Sequence, residues 1–576
     1  MGHLKNTTQS VEHPAPRVEK SAAFTGAPLY LIGFVLIASL TALVYTFMHL
    51  RHERHDSPVY VLLLFVLVLP AMLLYWRDNR ACSTAGWPVP RIDAAATCVF
   101  AILAVAVGAS GAHEHTIPDE SAYKFQARVF AAGKVKAAAM PGVAEQVTAT
   151  PREIYFEQTI QTPNGWFSKY PPGWPAVLAI GYLLHCAWLL NPILGMLQLL
   201  LIWQLARTFG RTTQVFAIFI AATSAYMLVN SVGFMSHALN AVIWLSALAS
   251  LLKGIRQKQL RYIILCFFFV ALATTVRPYT GAVFAFLSAG IAVYELRNDR
   301  PLLLKSSGVI LAAAASAIGA FLITNHVFTG NALISPYAFA RGGTRIHELT
   351  LSPGEILYNL LHIWRWAITD TVRVTFPFML LFAIYALYRE RSRRELWCFA
   401  LLFPSLIFAC LFQAEASASF DGERFYFEGF CPMAIVAARG FYLWCDEWKL
   451  TRPAIMRTLI VLTGLQTAMV ILAISDIETV LSPFKQAYAL AQSSPIQPLV
   501  FLSGDSPAFW SKHVNWNEAD WSHARTVYLN DPGGGARDRV ACEFDRTSYR
   551  VINFDDITHT FSKRDMVAKC HTSMRF

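Results

Sequence analysis

Charged residues are scarce in this chain: they make up 15% of its 576 residues, whereas hydrophobic residues make up 55%. A soluble globular protein carries roughly 25% charged residues, so the composition argues against that class. Apolar runs of 18 or more residues recur along the sequence, and each is long enough to cross about 30 Å of hydrocarbon. The sequence therefore predicts an all-α polytopic membrane protein.

Motifs of several other classes are also missing. The ten cysteines have no CxxC or Cys/His ligand spacing, which excludes the usual zinc motifs. The glycines at 533–535 lack the Lys-Ser/Thr pair of a phosphate loop, so we predict a turn there. No internal repeat or pair of similar halves is present, which argues against an inverted-repeat transporter. Cys542 and Cys570 in the polar tail are the only plausible disulfide pair, and the compartment decides whether they pair.

Basic residues outnumber acidic ones, giving a formal net charge of +11, but they lie in short loops between the apolar runs. Loops with this composition face the anionic lipid on the cytoplasmic side of a membrane. We therefore predict membrane lipids as partners, and no nucleic acid. The first 26 residues are polar and the first apolar run is long, so this run is predicted to be a retained span and not a cleaved signal peptide.

Placing the basic loops in the cytoplasm predicts about 13 transmembrane helices, with a cytoplasmic N-terminus and a C-terminus on the outer side. The predicted spans lie near 27–49, 57–76, 92–111, 191–208, 213–231, 237–253, 262–276, 279–295, 303–324, 372–388, 396–412, 427–445 and 455–474. The apolar segment 172–189 would reverse every later span if it crossed, so we predict a re-entrant or interfacial helix there. The basic loop 51–56 is the exception to this topology, because it would face outward.

The same topology divides the chain into three parts. They are a cytoplasmic N-terminal segment (1–26), a transmembrane domain (27–474) with outer loops 112–171, 325–371 and 413–426, and a periplasmic C-terminal region (475–576). This last region contains strand-like runs at 498–504, 524–530 and 548–554, which predict a small α/β fold. The first outer loop contains YKFQARVF (123–130), which is predicted to be an amphipathic juxtamembrane helix lying along the membrane.

Ionisable and aromatic residues gather on the predicted outer face, and such residues at the edge of a membrane are candidates for function. The candidates are Asp119, Glu120, Lys169, Tyr170, His237, Arg277, Arg341, Arg345, Glu423, Arg424 and Tyr426. Each has a structural interpretation as well. The two acidic residues could cap a helix, Lys169 could extend to the membrane surface, and Arg277 could anchor a helix end. For the others the alternatives are a hydrogen-bonded helix-end histidine (His237), surface charges (Arg341 and Arg345), a structural ion pair (Glu423 and Arg424) and an interfacial aromatic belt (Tyr170 and Tyr426).

These residue types suit one kind of reaction. A donor sugar linked through phosphate to a lipid needs cations that hold the phosphate and stabilise it as it leaves. A carboxylate must remove the proton of an acceptor hydroxyl as its oxygen attacks the anomeric carbon. Direct displacement of this kind inverts the sugar configuration. It needs no bound nucleotide, which agrees with the absence of a Rossmann-type glycine motif.

The order of the motifs around these residues resembles that of a known family. An acidic pair just after an early span is followed by YKFQARVFAAGKV, KYPPGWP, MSH, TTVRPYT and, before a late span, ERFYFEGFCP. Over roughly residues 92–445, this order resembles the C-type membrane glycosyltransferases, most of all the protein mannosyltransferase and aminoarabinose transferase group. The resemblance implies a polyprenyl-phosphate sugar donor, Asp119 as the base and Lys169 as a phosphate contact. It also implies that Arg277 and Arg424 face the phosphate.

Two features depart from this family. Two additional predicted spans precede the acidic loop, whereas relatives usually place that loop after the first span. Ser168 stands where some relatives carry a metal-coordinating Glu, so we predict that no metal or other cofactor is required.

The sequence thus predicts a glycosyltransferase of a bacterial inner membrane, transferring a hexose or pentose on the periplasmic face. The predicted acceptor is a hydroxyl of an envelope glycan, lipid or protein. Asp119 is the predicted base, and Glu120 helps to place the acceptor or caps the helix. Lys169, Arg277, Arg341, Arg345 and Arg424 are predicted to bind the donor phosphate, and Tyr170, His237, Glu423 and Tyr426 to contact substrate.

Two other classes make different predictions. A transporter or flippase for a lipid-linked or anionic substrate should place its ionisable residues near mid-membrane on facing helices, in related halves. A non-catalytic envelope scaffold would have no reason to collect this many cations. The clustering of charged residues at the outer ends of the spans favours the enzyme.

Overall fold

The computed structural model describes residues 68–78, 91–111, 117–141, 156, 158–340, 352–363, 375–412, 424–506 and 509–570. The predicted span near 27–49, most of the span near 57–76 and the loop 51–56 lie outside these residues. So do Arg341, Arg345 and Glu423. Residues Met72–Phe576 form one unit, which contains every candidate residue that the structure describes.

Helices account for most of the described chain. In the first half they are α1 (Leu69–Asp78), α2 (Ile92–Ser110), α3 (Pro118–Ala131), α4 (Gly173–Leu183), α5 (Leu190–Ala206), α6 (Arg211–Ala222), α7 (Ala225–Asn230), α8 (His237–Gln257) and α9 (Leu260–Val276). In the second half they are α10 (Pro278–Leu296), α11 (Arg300–Thr329), α12 (Pro336–Ala340), α13 (Pro353–Ile363), α14 (Met379–Arg389), α15 (Arg394–Ala400), α16 (Leu402–Cys410), α17 (Phe427–Glu447), α18 (Arg452–Ala491) and α19 (Ala536–Glu543). Short 3₁₀ turns lie at Ala187–Leu189, Arg207–Phe209, Arg424–Tyr426 and Ser511–His513.

Several of these helices are long and apolar enough to cross a membrane. Six described segments meet that condition by length and composition: α2, Ala187–Phe209 with α5 at its centre, α8, α10, α11 and α18. Four shorter apolar helices, α4, α6, α9 and α14, accompany them. The chain is therefore a largely helical, multi-pass membrane protein, as predicted, and the number of spans stays a prediction.

The segment 172–189, for which we predict a re-entrant or interfacial helix, contains the 11-residue helix α4. At 1.5 Å per residue it is about 16 Å long, roughly half of the hydrocarbon thickness. The chain then turns through Leu184 and His185, and a 3₁₀ turn leads into α5. This length agrees with a helix that does not cross the membrane.

Prolines and polar caps mark where several long helices begin. Pro278 occupies the first turn of α10, where a missing backbone N–H has no cost. Asp299 caps α11 by accepting a hydrogen bond from the Leu302 amide at 3.3 Å, and Thr451 caps α18 through the Ala454 amide at 3.3 Å. Pro278 thus marks where α10 begins, next to the candidate site.

The helix α18 is longer than the span predicted near 455–474. It has 40 residues and so extends about 60 Å, twice the hydrocarbon thickness. It therefore continues through the predicted domain boundary at residue 474. Its last turns, with Phe484, Ala487 and Ala491, pack into the hydrophobic core of the C-terminal region.

The three strand-like runs of the C-terminal region are strands in the structure. Eight strands occur in the described chain: β1 (Thr159–Thr162), β2 (Gly165–Ser168), β3 (Leu499–Ser503), β4 (Asp505–Ser506), β5 (Phe509–Trp510), β6 (Val527–Asn530), β7 (Ser548–Asp555) and β8 (Thr560–Val567). One sheet has the order β6-β3-β7-β8, in which β3 is parallel to both neighbours and β8 is antiparallel to β7. Cys542 of α19 and Cys570 beyond β8 form a disulfide.

The first outer loop does not lie apart from this C-terminal region. Phe125 and Val129 of α3 and Trp166 of β2 belong to the same hydrophobic core as the sheet residues Phe501 and Leu529. β1 and β2 form a hairpin in the same loop, and Ala137 pairs with Trp166 beside it. Burial of this shared apolar surface holds the loop and the tail together.

The helix α3 differs from the predicted surface helix. It covers YKFQARVF, but every residue from Glu120 to Ala127 is buried, so it does not lie on a surface with one face exposed. The reason is that its polar side chains find partners inside the protein. The Asn515 amide donates to Ser121 Oγ at 2.9 Å, and Arg128 donates to the carbonyls of Asn515 and Asn517 at 2.8 and 3.1 Å.

Candidate active site

The N-terminal end of α3 brings Asp119 next to a cation from a distant part of the sequence. Arg424 Nη2 lies 3.1 Å from Asp119 Oδ2, and the two side chains are only 13% and 17% exposed. Pro118 starts the helix at its first position, so Asp119 lies in the first turn with its carboxylate beyond the helix end. The sequence predicts both residues as site residues, and the fold pairs them across 305 positions.

A second ion-pair network lies where α8, α10 and α17 meet. Glu428 Oε1 lies 3.3 Å from His237 Nδ1, 3.0 Å from Asn240 Nδ2 and 3.5 Å from Arg277 Nε. Glu428 and His237 are fully buried. A buried carboxylate is stable only with charged and hydrogen-bonding partners, and Arg277 and Asn240 supply them.

The hydrogen bonds of this network determine the proton position on His237. Arg277 Nη1 lies 3.2 Å from His237 Nε2, and a guanidinium can only donate. Nε2 must therefore accept, which leaves the proton on Nδ1, where it is donated to Glu428. The imidazole is thus neutral in this arrangement, and its two partners fix the ring orientation.

Aromatic rings connect the two ion pairs. The Phe425 ring lies 5.6 Å from the Arg277 guanidinium and 5.3 Å from that of Arg424, so one ring contacts both cations. Tyr123 Oη lies 3.3 Å from Ser236 Oγ, which also accepts from Arg277 Nη1 at 3.2 Å. The contacts therefore form one continuous cluster.

Lys169 reaches the same cluster through a row of tyrosines. Tyr170 stacks on Tyr123 at 4.6 Å between ring centroids and meets Tyr337 edge-on at 5.4 Å. Lys169 Nζ lies 5.3 Å from the Tyr170 ring and 5.2 Å from the Tyr337 ring. Within the described ranges, no carboxylate lies at ion-pair distance from Lys169. It is thus a cation available to an anionic ligand.

The two tyrosines nearest Asp119 stay protonated at neutral pH. Burial raises the pKa of Tyr123 to about 12. Burial, together with the neighbouring Asp119 carboxylate, raises the pKa of Tyr170 well above its usual value. Both phenols therefore remain neutral hydroxyl groups at neutral pH.

Glu120, adjacent to Asp119, points in another direction. Its Oε1 accepts a hydrogen bond from the Phe234 amide at 2.6 Å, and the side chain is buried. Gly233 makes this approach possible, because a Cβ at that position would lie 2.2 Å from Glu120 Oε1. In the structure Glu120 connects α3 to the turn that precedes α8.

A small cleft of about 40 Å³ lies beside Lys169. Its walls are formed by the segments before α4, between α9 and α10, and along α11. The lining includes Lys169, Pro172, Thr275, Pro278, Phe321 and Thr324. The cleft places the Lys169 cation next to largely apolar or small side chains, but its volume is close to that of one water molecule.

The structure brings some of the predicted site residues together and places others elsewhere. Asp119, Lys169, Tyr170, His237, Arg277 and Arg424 come together in the cluster described above. Tyr426 is fully buried and packs edge-on against Phe403 at 6.0 Å. Arg341, Arg345 and Glu423 lie outside the described residues, so their positions stay predictions.

Glu428 is the central residue that the sequence analysis missed. It lies within ERFYFEGFCP, two positions after Tyr426, in the first turn of the apolar helix α17. A lone carboxylate at the start of an apolar run was the available signal, since an ionisable group at membrane depth requires a partner. Tyr123 and Phe425, in motifs that the sequence analysis quoted, gave no comparable signal because aromatic residues are common at such positions.

The expectation that no metal is required stays a prediction. No group of three or more His, Cys, Asp or Glu side chains with metal-binding geometry occurs in the described part of the chain. Ser168, at the position where some relatives carry a metal-coordinating Glu, is buried, and its Oγ accepts from the Tyr170 amide at 3.1 Å. The side chains present here do not form a metal site of that kind.

Comparison with known proteins gives a family-model match over part of the chain and a similar fold over most of it. Residues 169–326 match the sequence model of the family described as dolichyl-phosphate-mannose-protein mannosyltransferase. No curated protein sequence matches the chain. The crystal structure of ArnT from Cupriavidus metallidurans in the apo state is similar at a TM-score of 0.50 and 13% identity, over 80% of this chain and 93% of that one.

Two further solved structures are similar at lower scores. ArnT from Cupriavidus metallidurans bound to undecaprenyl phosphate has a TM-score of 0.47 and 13% identity, over 80% of this chain and 93% of that one. The Archaeoglobus fulgidus oligosaccharyltransferase has a TM-score of 0.43 and 13% identity, over 79% of this chain and 68% of that one. The matched family model and the fold shared with apo ArnT thus confirm the resemblance to the C-type membrane glycosyltransferases of the protein mannosyltransferase and aminoarabinose transferase group.

Proposed function

We propose that this chain transfers a sugar from a polyprenyl-phosphate donor to an acceptor hydroxyl on the outer face of a bacterial inner membrane. The observation that carries the proposal is the cluster in which Asp119, Arg424, Arg277 and Lys169 meet at the outer ends of α3 and α10. Asp119 pairs with Arg424, Glu428 pairs with Arg277, and Lys169 lies in the same cluster. The cluster therefore contains a carboxylate base and the cations that inverting transfer from a phosphate leaving group requires.

The reaction follows from these groups. Asp119 takes the proton of the acceptor hydroxyl as its oxygen forms a bond to the anomeric carbon. The bond from that carbon to the phosphate oxygen breaks, and polyprenyl phosphate leaves with the electron pair. Lys169, Arg277 and Arg424 stabilise the charge that develops on the phosphate. The sugar configuration is inverted, because attack and departure occur on opposite faces.

The ion pair between Asp119 and Arg424 gives donor binding a direct role in preparing the base. Arg424 Nη2 lies 3.1 Å from Asp119 Oδ2. A phosphate held between Lys169 and Arg277 competes for Arg424, so the Asp119 carboxylate is released toward the acceptor hydroxyl. Catalytic hydrogen bonds commonly reach their working geometry only in the substrate complex.

Glu428 and Glu120 act through other residues in this proposal. Glu428 is a positioning residue that orients Arg277 and His237, whose ring lies 6.3 Å from Phe425 at the centre of the cluster. Glu120 fixes the start of α3 against the Phe234 amide, which holds Asp119 at the site. The proposal assigns the acceptor to envelope glycan, lipid or protein without distinguishing among them.

Lys169→Ala tests the donor assignment. We expect binding of polyprenyl phosphate to weaken roughly 10- to 150-fold, the effect of losing one hydrogen bond to a charged group. The measurement is a titration of purified protein with polyprenyl phosphate by native mass spectrometry. Transfer is followed in parallel with labelled polyprenyl-phosphate sugars and an envelope fraction as acceptor source.

The matched control for this titration is Lys134→Ala. Lys134 lies in the same outer loop, but its Nζ pairs with Asp520 at 3.3 Å on the surface. The Lys134→Ala variant should bind polyprenyl phosphate as tightly as the wild type. Unchanged binding in Lys169→Ala would contradict the donor site, and absence of any sugar transfer by the wild-type protein would contradict the enzyme itself.

The disulfide supports a periplasmic C-terminal region, because disulfides persist in oxidising compartments. This orientation belongs to the proposed arrangement of about 13 spans with a cytoplasmic N-terminus. We expect a membrane-impermeant reductant followed by an impermeant maleimide to label Cys542 and Cys570 in intact spheroplasts. A Cys542→Ser/Cys570→Ser variant is the control. Labelling that appears only after permeabilisation would reverse the orientation.

A further inference from the structure

A second concave surface lies at the opposite end of α10 from Arg277. It is a groove of about 540 Å³ between one face of α10 and the segment 391–401, which contains α15. The helix α10 has 19 residues, so its end at Leu296 lies about 28 Å from Pro278. The groove is therefore on the other side of the membrane from the Asp119 cluster.

The long walls of this groove are apolar. Phe286, Leu287 and Ile291 of α10 face Trp397 and Leu401. Phe286, at the far end, is 81% exposed, so its ring is free to contact a lipid chain. From Phe286 to Glu295 the wall extends about 13 Å, close to the half-thickness of a 30 Å hydrocarbon core, and so matches the depth of one leaflet.

Cations gather at the end of the groove near the membrane surface. Arg391 and Arg394 line it, and Arg297 stacks on Tyr294 at 4.0 Å just beside it. Among the described residues that line this end, the one carboxylate is Glu295, which lies 3.8 Å from Arg394 Nη1. Among the lining residues, two cations against one carboxylate leave an excess of one positive charge.

Arg391 is the cation with the least compensation. It is exposed, and in the described part of the chain its side chain has no hydrogen-bond or ion-pair partner, whereas its neighbour Arg393 pairs with Glu390 at 3.3 Å. Trp397 Nε1 donates to the Arg391 carbonyl at 2.9 Å, which fixes the backbone of Arg391 at the rim. An uncompensated guanidinium beside an apolar wall favours an amphiphilic anion.

We propose that this groove binds an anionic phospholipid of the cytoplasmic leaflet, with its phosphate between Arg391 and Arg394 and an acyl chain along Phe286 and Ile291. A soluble phosphate would leave the apolar walls unused, and a zwitterionic lipid would bring its own cation to the arginines. The cytoplasmic leaflet is the anionic one. The assignment of the groove to the cytoplasmic leaflet depends on the proposed outer location of the Asp119 cluster. The prediction that the bound lipid is anionic does not depend on it.

The test is lipid binding by the delipidated full-length protein, measured by native mass spectrometry. Phosphatidylglycerol and phosphatidylcholine with the same acyl chains are titrated separately. We expect the wild type to prefer phosphatidylglycerol. Arg391→Gln/Arg394→Gln should weaken phosphatidylglycerol binding by about thirtyfold and remove the preference. The matched control is Arg300→Gln/Arg452→Gln, which removes two exposed arginines that do not line the groove.

A second variant tests the shape of the groove without changing any charge. Gly290 lines the groove, and a Cβ there would meet nothing within 4 Å, so Gly290→Leu fits the fold and fills the groove. Its control is Gly308→Leu on α11, where a Cβ also meets nothing within 4 Å. Loss of phosphatidylglycerol in Gly290→Leu but not in Gly308→Leu supports the site. If the groove variants and the control variants retain phosphatidylglycerol equally, the lipid site is overturned. Because sugar transfer is not measured, that result leaves the glycosyltransferase proposal unaffected.

Discussion

Asp119→Asn should lower the rate of sugar transfer by about 10²- to 10⁴-fold, the usual contribution of a positioned general base. The substitution keeps the size and shape of the side chain but removes its ability to take a proton from the acceptor hydroxyl. Tyr123 and Tyr170 cannot replace it, because burial keeps both phenols protonated. The measurement is the turnover of labelled polyprenyl-phosphate sugar by the purified protein at saturating donor.

Donor binding in the same variant should be unchanged or tighter. Asp119 and Arg424 are 3.1 Å apart, so removing the negative charge leaves Arg424 more available to a phosphate. Asp520→Asn is the matched control, since Asp520 also pairs with a cation of the first outer loop, Lys134, but at the surface. Turnover of Asp119→Asn at the wild-type rate would mean that another group accepts the proton.

Arg277→Met should destabilise the protein by about 3–5 kcal/mol, because it leaves the buried Glu428 carboxylate without its cationic partner. It should also weaken polyprenyl phosphate binding, roughly 10- to 150-fold, if Arg277 contacts the phosphate. The two effects have different origins, and a double variant separates them. Stability is measured by equilibrium unfolding in mixed micelles, and binding by native mass spectrometry.

The double variant Arg277→Met/Glu428→Gln removes the Glu428 negative charge that Arg277→Met leaves without a cationic partner. Its stability should recover most of the loss, since the introduced amide oxygen can still accept from Asn240, whose Nδ2 lies 3.0 Å from Glu428 Oε1. Donor binding should stay as weak as in Arg277→Met. A double variant no more stable than the single one would show that the network is not held by this ion pair, and recovered binding would remove Arg277 from the phosphate site.

Much of the site is visible in the sequence because membrane insertion is a local property. An ionisable residue next to an apolar run is costly wherever the run is buried, so Asp119, Lys169 and Arg277 stand out without any knowledge of their neighbours. Proline before an apolar run also marks a helix start, as at Pro278. The start of α10 follows from this signal.

The same local reasoning failed for α3 and Glu428. YKFQARVF combines apolar, basic and polar residues, which predict an amphipathic helix along the membrane. In the structure, however, Ser121 and Arg128 have partners in the segment 515–517. Those partners lie almost 400 positions away, and no pattern in either segment indicates the other. Glu428 was missed for the related reason that its partners, on α8 and α10, are assembled only by helix packing.

The sequence by itself determined that the chain is a helical membrane protein, where several of its helices begin, and which charged residues lie at their ends. These properties depend on hydropathy and backbone constraints within a few turns of chain. The tertiary structure decided which charges pair: Asp119 with Arg424, and Arg277 with Glu428. A buried ion is stable only beside a partner, and long-range packing alone determines which partner it meets.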